Sequence, residues 1–211
     1  MGTLHWIDLG IVGIYLIVLA SIGFLYSKRQ ANLDQFFLAG RRMGWLPIGF
    51  SLMACLNSGI DYLMQPLAIM KYGVVLVLSA LSWLFLWPWV TRVALPFYRR
   101  LNLYTAYEYL EQRFNVKVRT LAASIFLVWR LGWIATAMYV PCLAISAASG
   151  GSLPLVPTIV LLGSVVVLYT VLGGMKAVIW TDVVQFFVMF DGLAATVWTV
   201  LSHVPGGLNA V

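Results

Sequence analysis

Charge is what this chain has least of. Only 9% of its 211 residues are charged, seven Asp and Glu against 13 Lys and Arg. A soluble domain carries about 25% charged and about 45–50% apolar residues. Here 62% of the residues are hydrophobic and the mean hydropathy is +0.94. A soluble fold of this size has no interior large enough to hide that much apolar surface, which leaves a bilayer as the solvent. Cysteine is scarce too. Cys55 and Cys142 both lie in apolar runs, which speaks for reduced core residues and against a disulfide framework or a cysteine metal site. The two histidines, His5 and His203, lie near opposite ends and offer no paired base. The chain has no phosphate-binding GxxxxGK[ST] loop, no HExxH and no nucleophile elbow, so it reads as no enzyme and as driven by no ATP of its own. Met1-Gly2 lacks the Ser or Thr that an N-myristoylation signal requires. No cofactor is implied.

What is present is a series of long apolar runs. A helix needs about 20 apolar residues to cross the hydrocarbon. Six candidates run over about Leu4–Tyr26, Gly44–Met70, Gly73–Phe97, Val118–Ala148, Leu153–Leu172 and Ala177–Ser202, with a short amphipathic stretch over Tyr104–Phe114. The first has no basic segment before it and no small-residue cleavage site after it, so it is not read as a signal peptide. The expected fold class is an all-α integral membrane protein with six transmembrane helices in one transmembrane domain. A net charge of +6 and a pI near 9.5 invite a nucleic-acid reading. The cations, however, sit in short clusters between the apolar runs, where they set topology. With the N-terminus outside, the inner segments hold Lys28, Arg29, Arg41, Arg42, Arg99, Arg100, Arg113, Lys117, Arg119 and Lys176, and the outer ones only Lys71. A plasma (inner) membrane protein with its N-terminus outside and no nucleic-acid partner is therefore expected.

Polar groups at bilayer depth cost about 2.5–3.5 kcal/mol on insertion scales. Four places carry them. In the second span the run Ala54-Cys55-Leu56-Asn57-Ser58-Gly59-Ile60-Asp61 is polar and contains a glycine, with Pro66 following. An unwound helix there frees carbonyls for a small cation and a half-helix N-terminus for an anionic group. A kink whose Asn57 and Ser58 bond a neighbouring helix is the equally open alternative. Asp182 lies one to two turns into the sixth span, either as a cation station or as an interfacial carboxylate paired with an Arg. Arg130 lies about 12 residues into the fourth span. Its planar fork suits a substrate carboxylate or a pair with Asp61, and snorkelling to the inner face is the alternative. Asp191, also in the sixth span, has no assigned role.

The run from Leu168 to Gln185, LYTVLGGMKAVIWTDVVQ, closely resembles the signature of the sodium:solute symporter family, which includes sodium/glucose, proline, iodide, monocarboxylate and multivitamin symporters. Phe36–Trp45 (FFLAGRRMGW) resembles that family's loop into its second helix, and Leu101–Phe114, with Ala106-Tyr107-Glu108-Tyr109-Leu110 inside it, agrees as well. The resemblance covers nearly the whole chain in order.

It implies a LeuT-like fold of two inverted five-helix repeats preceded by one extra helix, and sodium-driven uptake of a small solute by alternating access. Residues 1–43 then form the leading helix and its cytoplasmic loop, 44–203 the first repeat with its broken second helix, and 204–211 an outside-facing end. The second repeat, needed for a complete transporter, is missing. The resemblance further implies that the carbonyls of Ala54 and Asn57 are this chain's share of a sodium site whose Ser/Thr half belongs to the second repeat. Asp182 falls at the signature's acidic position, similar to positions linked to inward sodium release. Ser58, Asp61, Tyr62 and Arg130 are the candidate solute contacts. Leu56 and Ile60 stand where the sugar branch carries Asn and Glu, which turns the reading from sugars toward an organic anion, with an amino acid or other polar solute second. A non-transporting membrane subunit or sensor on the same fold is the alternative.

Overall fold

The computed structural model describes residues 6–27, 32–73, 75–101 and 103–203. His5, Lys28, Arg29 and residues 204–211 lie outside that set. The described residues contain helices and no strand. In chain order the helices are α1 (Trp6–Ser27), α2 (Leu33–Leu38), α3 (Trp45–Leu56), α4 (Gly59–Tyr72), α5 (Val75–Trp89), α6 (Leu95–Arg100), α7 (Ala106–Arg113), α8 (Val116–Ala148) and α9 (Leu155–His203). Their apolar sequences account for them, because in hydrocarbon every backbone group must be satisfied within its own segment. By length and composition α1, α8 and α9 can each cross a membrane, and α3 is a shorter apolar helix.

The interruption expected in the second span lies at Asn57 and Ser58. Both adopt extended backbone, φ/ψ of −112°/128° and −121°/169°, between α3 and α4. The expected fifth and sixth spans form one 49-residue run, α9. An unbroken helix of that length would be more than twice as long as the hydrocarbon is thick. The run is divided at Gly174, whose φ of 57° and ψ of −164° are not helical. That backbone region is essentially open to glycine alone. Between α5 and α6, after Pro88, the chain makes a π-helical turn over Val90–Ala94. Proline withholds one helical donor, and the Thr91 hydroxyl donates to the Trp87 carbonyl at 2.8 Å.

Among the described residues, Ser58–Val160 form one compact unit, and residues 6–57 with 161–203 form another. In the first unit Asn115 caps α8 by accepting the Val118 N–H at 2.9 Å. Arg119 pairs with Glu111, and the rings of Tyr107 and Phe126 join α7 to α8. A Cβ placed on Gly59 would lie 2.9 Å from Pro141 Cγ, so the start of α4 rests against α8 at that proline. Cys142, beside it, is 1% exposed.

In the second unit α1 meets α9 across glycines. A Cβ on Gly23 would lie 2.5 Å from Tyr169 Cβ and 2.7 Å from its Cα, and one on Gly173 would lie 3.0 Å from Gly23 Cα. Small residues permit this approach, as they do in membrane helix pairs generally. Phe50 of α3 packs between Phe186 and Phe187 of α9, with ring centroids at 4.5 and 5.5 Å. After α2 the chain makes a left-handed turn in which Ala39, Gly40 and Arg41 have φ of 50°, 67° and 54°.

Candidate functional site

Sequence placed candidates at the helix break and on α9; the structure joins Asp182 of α9 to Ser51 and Cys55 of α3, neither of them a candidate site residue. In the second unit, Ser51 and Cys55 stand four residues apart on α3. That spacing places them one above the other on a single helix face. Both point at Asp182 of α9: the Ser51 hydroxyl donates to Asp182 Oδ2 at 2.6 Å, and Cys55 Sγ donates to the same oxygen at 3.4 Å. Asp182 is 7% exposed, Ser51 8% and Thr181 0%. The phenylalanines that lock α3 to α9 flank this contact in sequence, Phe50 before Ser51 and Phe186 one turn after Asp182. Among the described residues the partners of Asp182 are thus a hydroxyl and a thiol, and no Arg pairs with it. Cys55, expected as a core residue, is exposed, whereas Cys142 is buried. Cys55 is the second-last residue of α3 and its sulfur turns toward the carboxylate.

A wider polar cluster surrounds this pair. The Gln185 amide lies within hydrogen-bonding reach of the hydroxyls of Tyr15 on α1 and Tyr169 on α9, and Tyr169 is close enough to Asp182 to feel its charge. Tyr169 is buried beside the Gly23 crossing, where α1 packs on α9. Ser51, Tyr15, Tyr169 and Gln185 were not singled out from sequence. The signals were available: Ser51 is a lone polar residue three positions before Ala54, and Tyr169 and Gln185 both lie inside the signature-like run. Among the described residues no three His, Cys, Asp or Glu side chains gather as a metal cluster. The oxygen-bearing groups here are one carboxylate, hydroxyls, an amide and main-chain carbonyls. Hard cations take such oxygen ligands.

At the break itself, Ala54 is buried and Asn57 turns its side chain back, Nδ2 donating to the Met53 carbonyl at 2.8 Å. The last four carbonyls at a helix end have no intrahelical donor; Met53 still accepts the Asn57 N–H at 3.2 Å, so here those are the carbonyls of Ala54, Cys55, Leu56 and the cap Asn57. In the first unit Ser58 begins α4. Its N–H donates to Asp61 Oδ2 at 2.7 Å and its hydroxyl to the same oxygen at 2.9 Å, while Gln65 Nε2 donates to Oδ1 at 3.3 Å. Asp61 is therefore the carboxylate of a helix cap, the reciprocal half of a capping box. Tyr62 is 39% exposed on the next position. Arg130 stands eleven residues before Pro141 on α8, about 16 Å of axial rise away, whereas Gly59 of α4 touches Pro141. That is more than an arginine side chain can span, and among the described residues no Asp61–Arg130 ion pair forms. Ser58, Asp61 and Tyr62 lie together at the head of α4, and Arg130 lies apart from them on an exposed face.

Known proteins resemble this chain over nearly its whole length. The model of the sodium:solute symporter family matches residues 36–211. A sodium/sialic acid symporter of Aliivibrio fischeri is 33% identical over 98% of this chain and 40% of its own length. A sodium-dependent multivitamin transporter of Oryctolagus cuniculus is 36% identical over 89% of this chain and 30% of its own. The sodium-coupled monocarboxylate transporter 1 of Homo sapiens is 33% identical over 90% and 31%. Among solved structures, the substrate-bound outward-open state of a Na+-coupled sialic acid symporter superposes with a TM-score of 0.82 at 30% identity, over 95% of this chain and 42% of that one. The chain thus spans about 30–40% of the length of these curated relatives. With the family model matched over most of its residues and apolar helices throughout, this chain is an integral membrane protein that belongs to the sodium:solute symporter family.

Proposed function

We propose that this chain supplies the leading helix and first five-helix repeat of a sodium-coupled symporter for a small organic anion, in the plasma (inner) membrane with its N-terminus outside. The carrying observation is Asp182. It is a buried carboxylate one to two turns into its span, held by Ser51 and Cys55 on the first half of a broken helix. An ionisable group is kept there at a cost, which marks an ion path. In this reading a sodium ion is coordinated by the carbonyls of Ala54 and Asn57 at the break, completed by hydroxyls of a second repeat. Asp182 is its next station toward the cytoplasm. The basic residues of the loops after α1, α6, α7 and the first half of α9 support the orientation, since cytoplasmic loops carry excess Lys and Arg.

Residues of α4 and α8 line the solute path: Ser58, Asp61 and Tyr62 at the break, and Arg130 further along α8. A guanidinium is the side chain best suited to a carboxylate. The names of the relatives point the same way, two of them being carriers of sialic acid and of monocarboxylates.

The test is uptake of labelled carboxylates, sialic acid and monocarboxylates among them, by the complete protein in vesicles across a range of sodium concentrations. The Asp182→Ala variant is expected to need about tenfold more sodium for half-maximal uptake, the equivalent of about 1.4 kcal/mol. An unchanged sodium dependence removes Asp182 from the ion path. Uptake indifferent to sodium in the unaltered protein overturns symport itself.

A further inference from the structure

Two concavities in the second unit are lined by the same pair of helices and have opposite character. One is a polar cavity of about 400 Å³ whose lining includes Tyr26 at the end of α1, Asn32, Asp34 and Gln35 at the start of α2, Arg42, and Lys176 of α9. The Lys176 ammonium sits 5.7 Å from the centre of the Tyr26 ring. The left-handed turn at Ala39 and Gly40 forms part of its wall. Such backbone is rare for non-glycine residues, and the turn leads into Arg42, which lines the same cavity as Lys176. The other concavity is an apolar groove of about 580 Å³, lined among others by Ile17, Phe24 and Leu25 of α1 and Leu168 and Leu172 of α9. The linings run on from one another: Leu25 precedes Tyr26, and Leu172 stands four residues before Lys176.

We propose that the two together form a binding site for one anionic phospholipid with a hydroxylated headgroup, phosphatidylglycerol being the simplest of that class. The lipid phosphate bonds Arg42 and Lys176. A guanidinium and an ammonium are the two side chains that best hold phosphate oxygens. The amides of Asn32 and Gln35 add donors. Asp34 leaves the cavity with one net positive charge and accepts a hydrogen bond from a headgroup hydroxyl, which favours a polyol over a bare phosphate. An acyl chain lies in the groove against Phe24, Leu25 and Leu168. Basic pockets between membrane helices, facing the anionic leaflet, recognise lipid headgroups by this chemistry. The groove shares Tyr169 with the Asp182 cluster, but the lipid site does not depend on what the protein transports.

The intact chain, purified in neutral detergent, is titrated with dioctanoyl phosphatidylglycerol and dioctanoyl phosphatidylcholine, and bound lipid is counted by native mass spectrometry. The expected result is about tenfold tighter binding of the anionic lipid, a preference lost in the R42Q/K176Q double variant and kept in R42K/K176R. The R99Q/R100Q variant, which removes equal charge from the end of α6, keeps the preference. Leu168→Trp, which fills the groove, weakens the lipid without touching the charges, and so tests the site even where the double variant fails to fold. Equal binding of the two lipids overturns the proposal, as does an equal loss in R99Q/R100Q. Displacement of the lipid by millimolar inorganic phosphate overturns it also, in favour of a soluble phosphate site.

Discussion

Replacing Gly23 with alanine is expected to push α1 off α9. The added Cβ lands 2.5 Å from Tyr169 Cβ, 2.7 Å from Tyr169 Cα and 3.0 Å from the Tyr169 carbonyl oxygen. Carbon atoms rest at about 3.5–4.0 Å, so the helices must part by about 1 Å. Two of the three obstructing atoms are backbone, and no rotamer change relieves them. Overpacking of this kind costs about 1–3 kcal/mol. A gap of that width also forfeits about a quarter to a half of each dispersion contact along the crossing. Gly13, two to three turns earlier on the same helix, is the internal control: a Cβ there meets nothing within 4 Å, and alanine gains up to about 1 kcal/mol of helix propensity. Thermal unfolding in detergent, followed by fluorescence-detected size exclusion, reads both. At about 2–4 °C per kcal/mol for a chain of this length, Gly23→Ala is expected to lower the midpoint by several degrees, while Gly13→Ala leaves it unchanged or raises it. If the two variants unfold together, the glycine crossing is not what holds α1 to α9.

Gly174→Ala places a side chain on φ of 57° and ψ of −164°, at a cost of about 1–3 kcal/mol. The expected outcome is a lower unfolding midpoint and faster proteolysis between Gly173 and Lys176, and a wild-type cleavage rate would contradict the geometry. Asp61→Ala removes the acceptor for the Ser58 N–H and hydroxyl, a loss of about 0.5–2 kcal/mol by comparison with other helix caps. Its unfolding midpoint should fall, and by more when solute is present, since Asp61 also lines the proposed solute path. Asp61→Asn, which keeps an acceptor oxygen, should recover most of it.

Much of the architecture was legible in the sequence, and particular residues show why. Apolar length sets a helix in a bilayer irrespective of its neighbours, so α1, α8 and the two halves of α9 could be drawn from hydropathy. Glycine and polar residues in the second span, and Gly173-Gly174 between the fifth and sixth, marked both interruptions, because backbone preference is local. The signature-like run pointed to Asp182 on the same grounds. Arg130 shows the limit. Its depth in the fourth span was readable, but its distance from Asp61 depends on where α4 touches α8, and that is set by Gly59 against Pro141.

The sequence by itself determined that this is an all-helical membrane chain of the sodium:solute symporter family, since composition and short motifs carry that information residue by residue. Only the tertiary structure decided the company those residues keep. It gave Asp182 the Ser51 hydroxyl, the Cys55 thiol and the nearby Tyr169, and it set Arg130 apart from Asp61. It also set an apolar groove and a cationic cavity on α1 and α9. Each of these depends on helix crossings between residues more than 80 positions apart, such as Gly59 with Pro141, Ser51 with Asp182 and Gly23 with Tyr169. Such crossings follow from steric fit between helices, which no local pattern encodes.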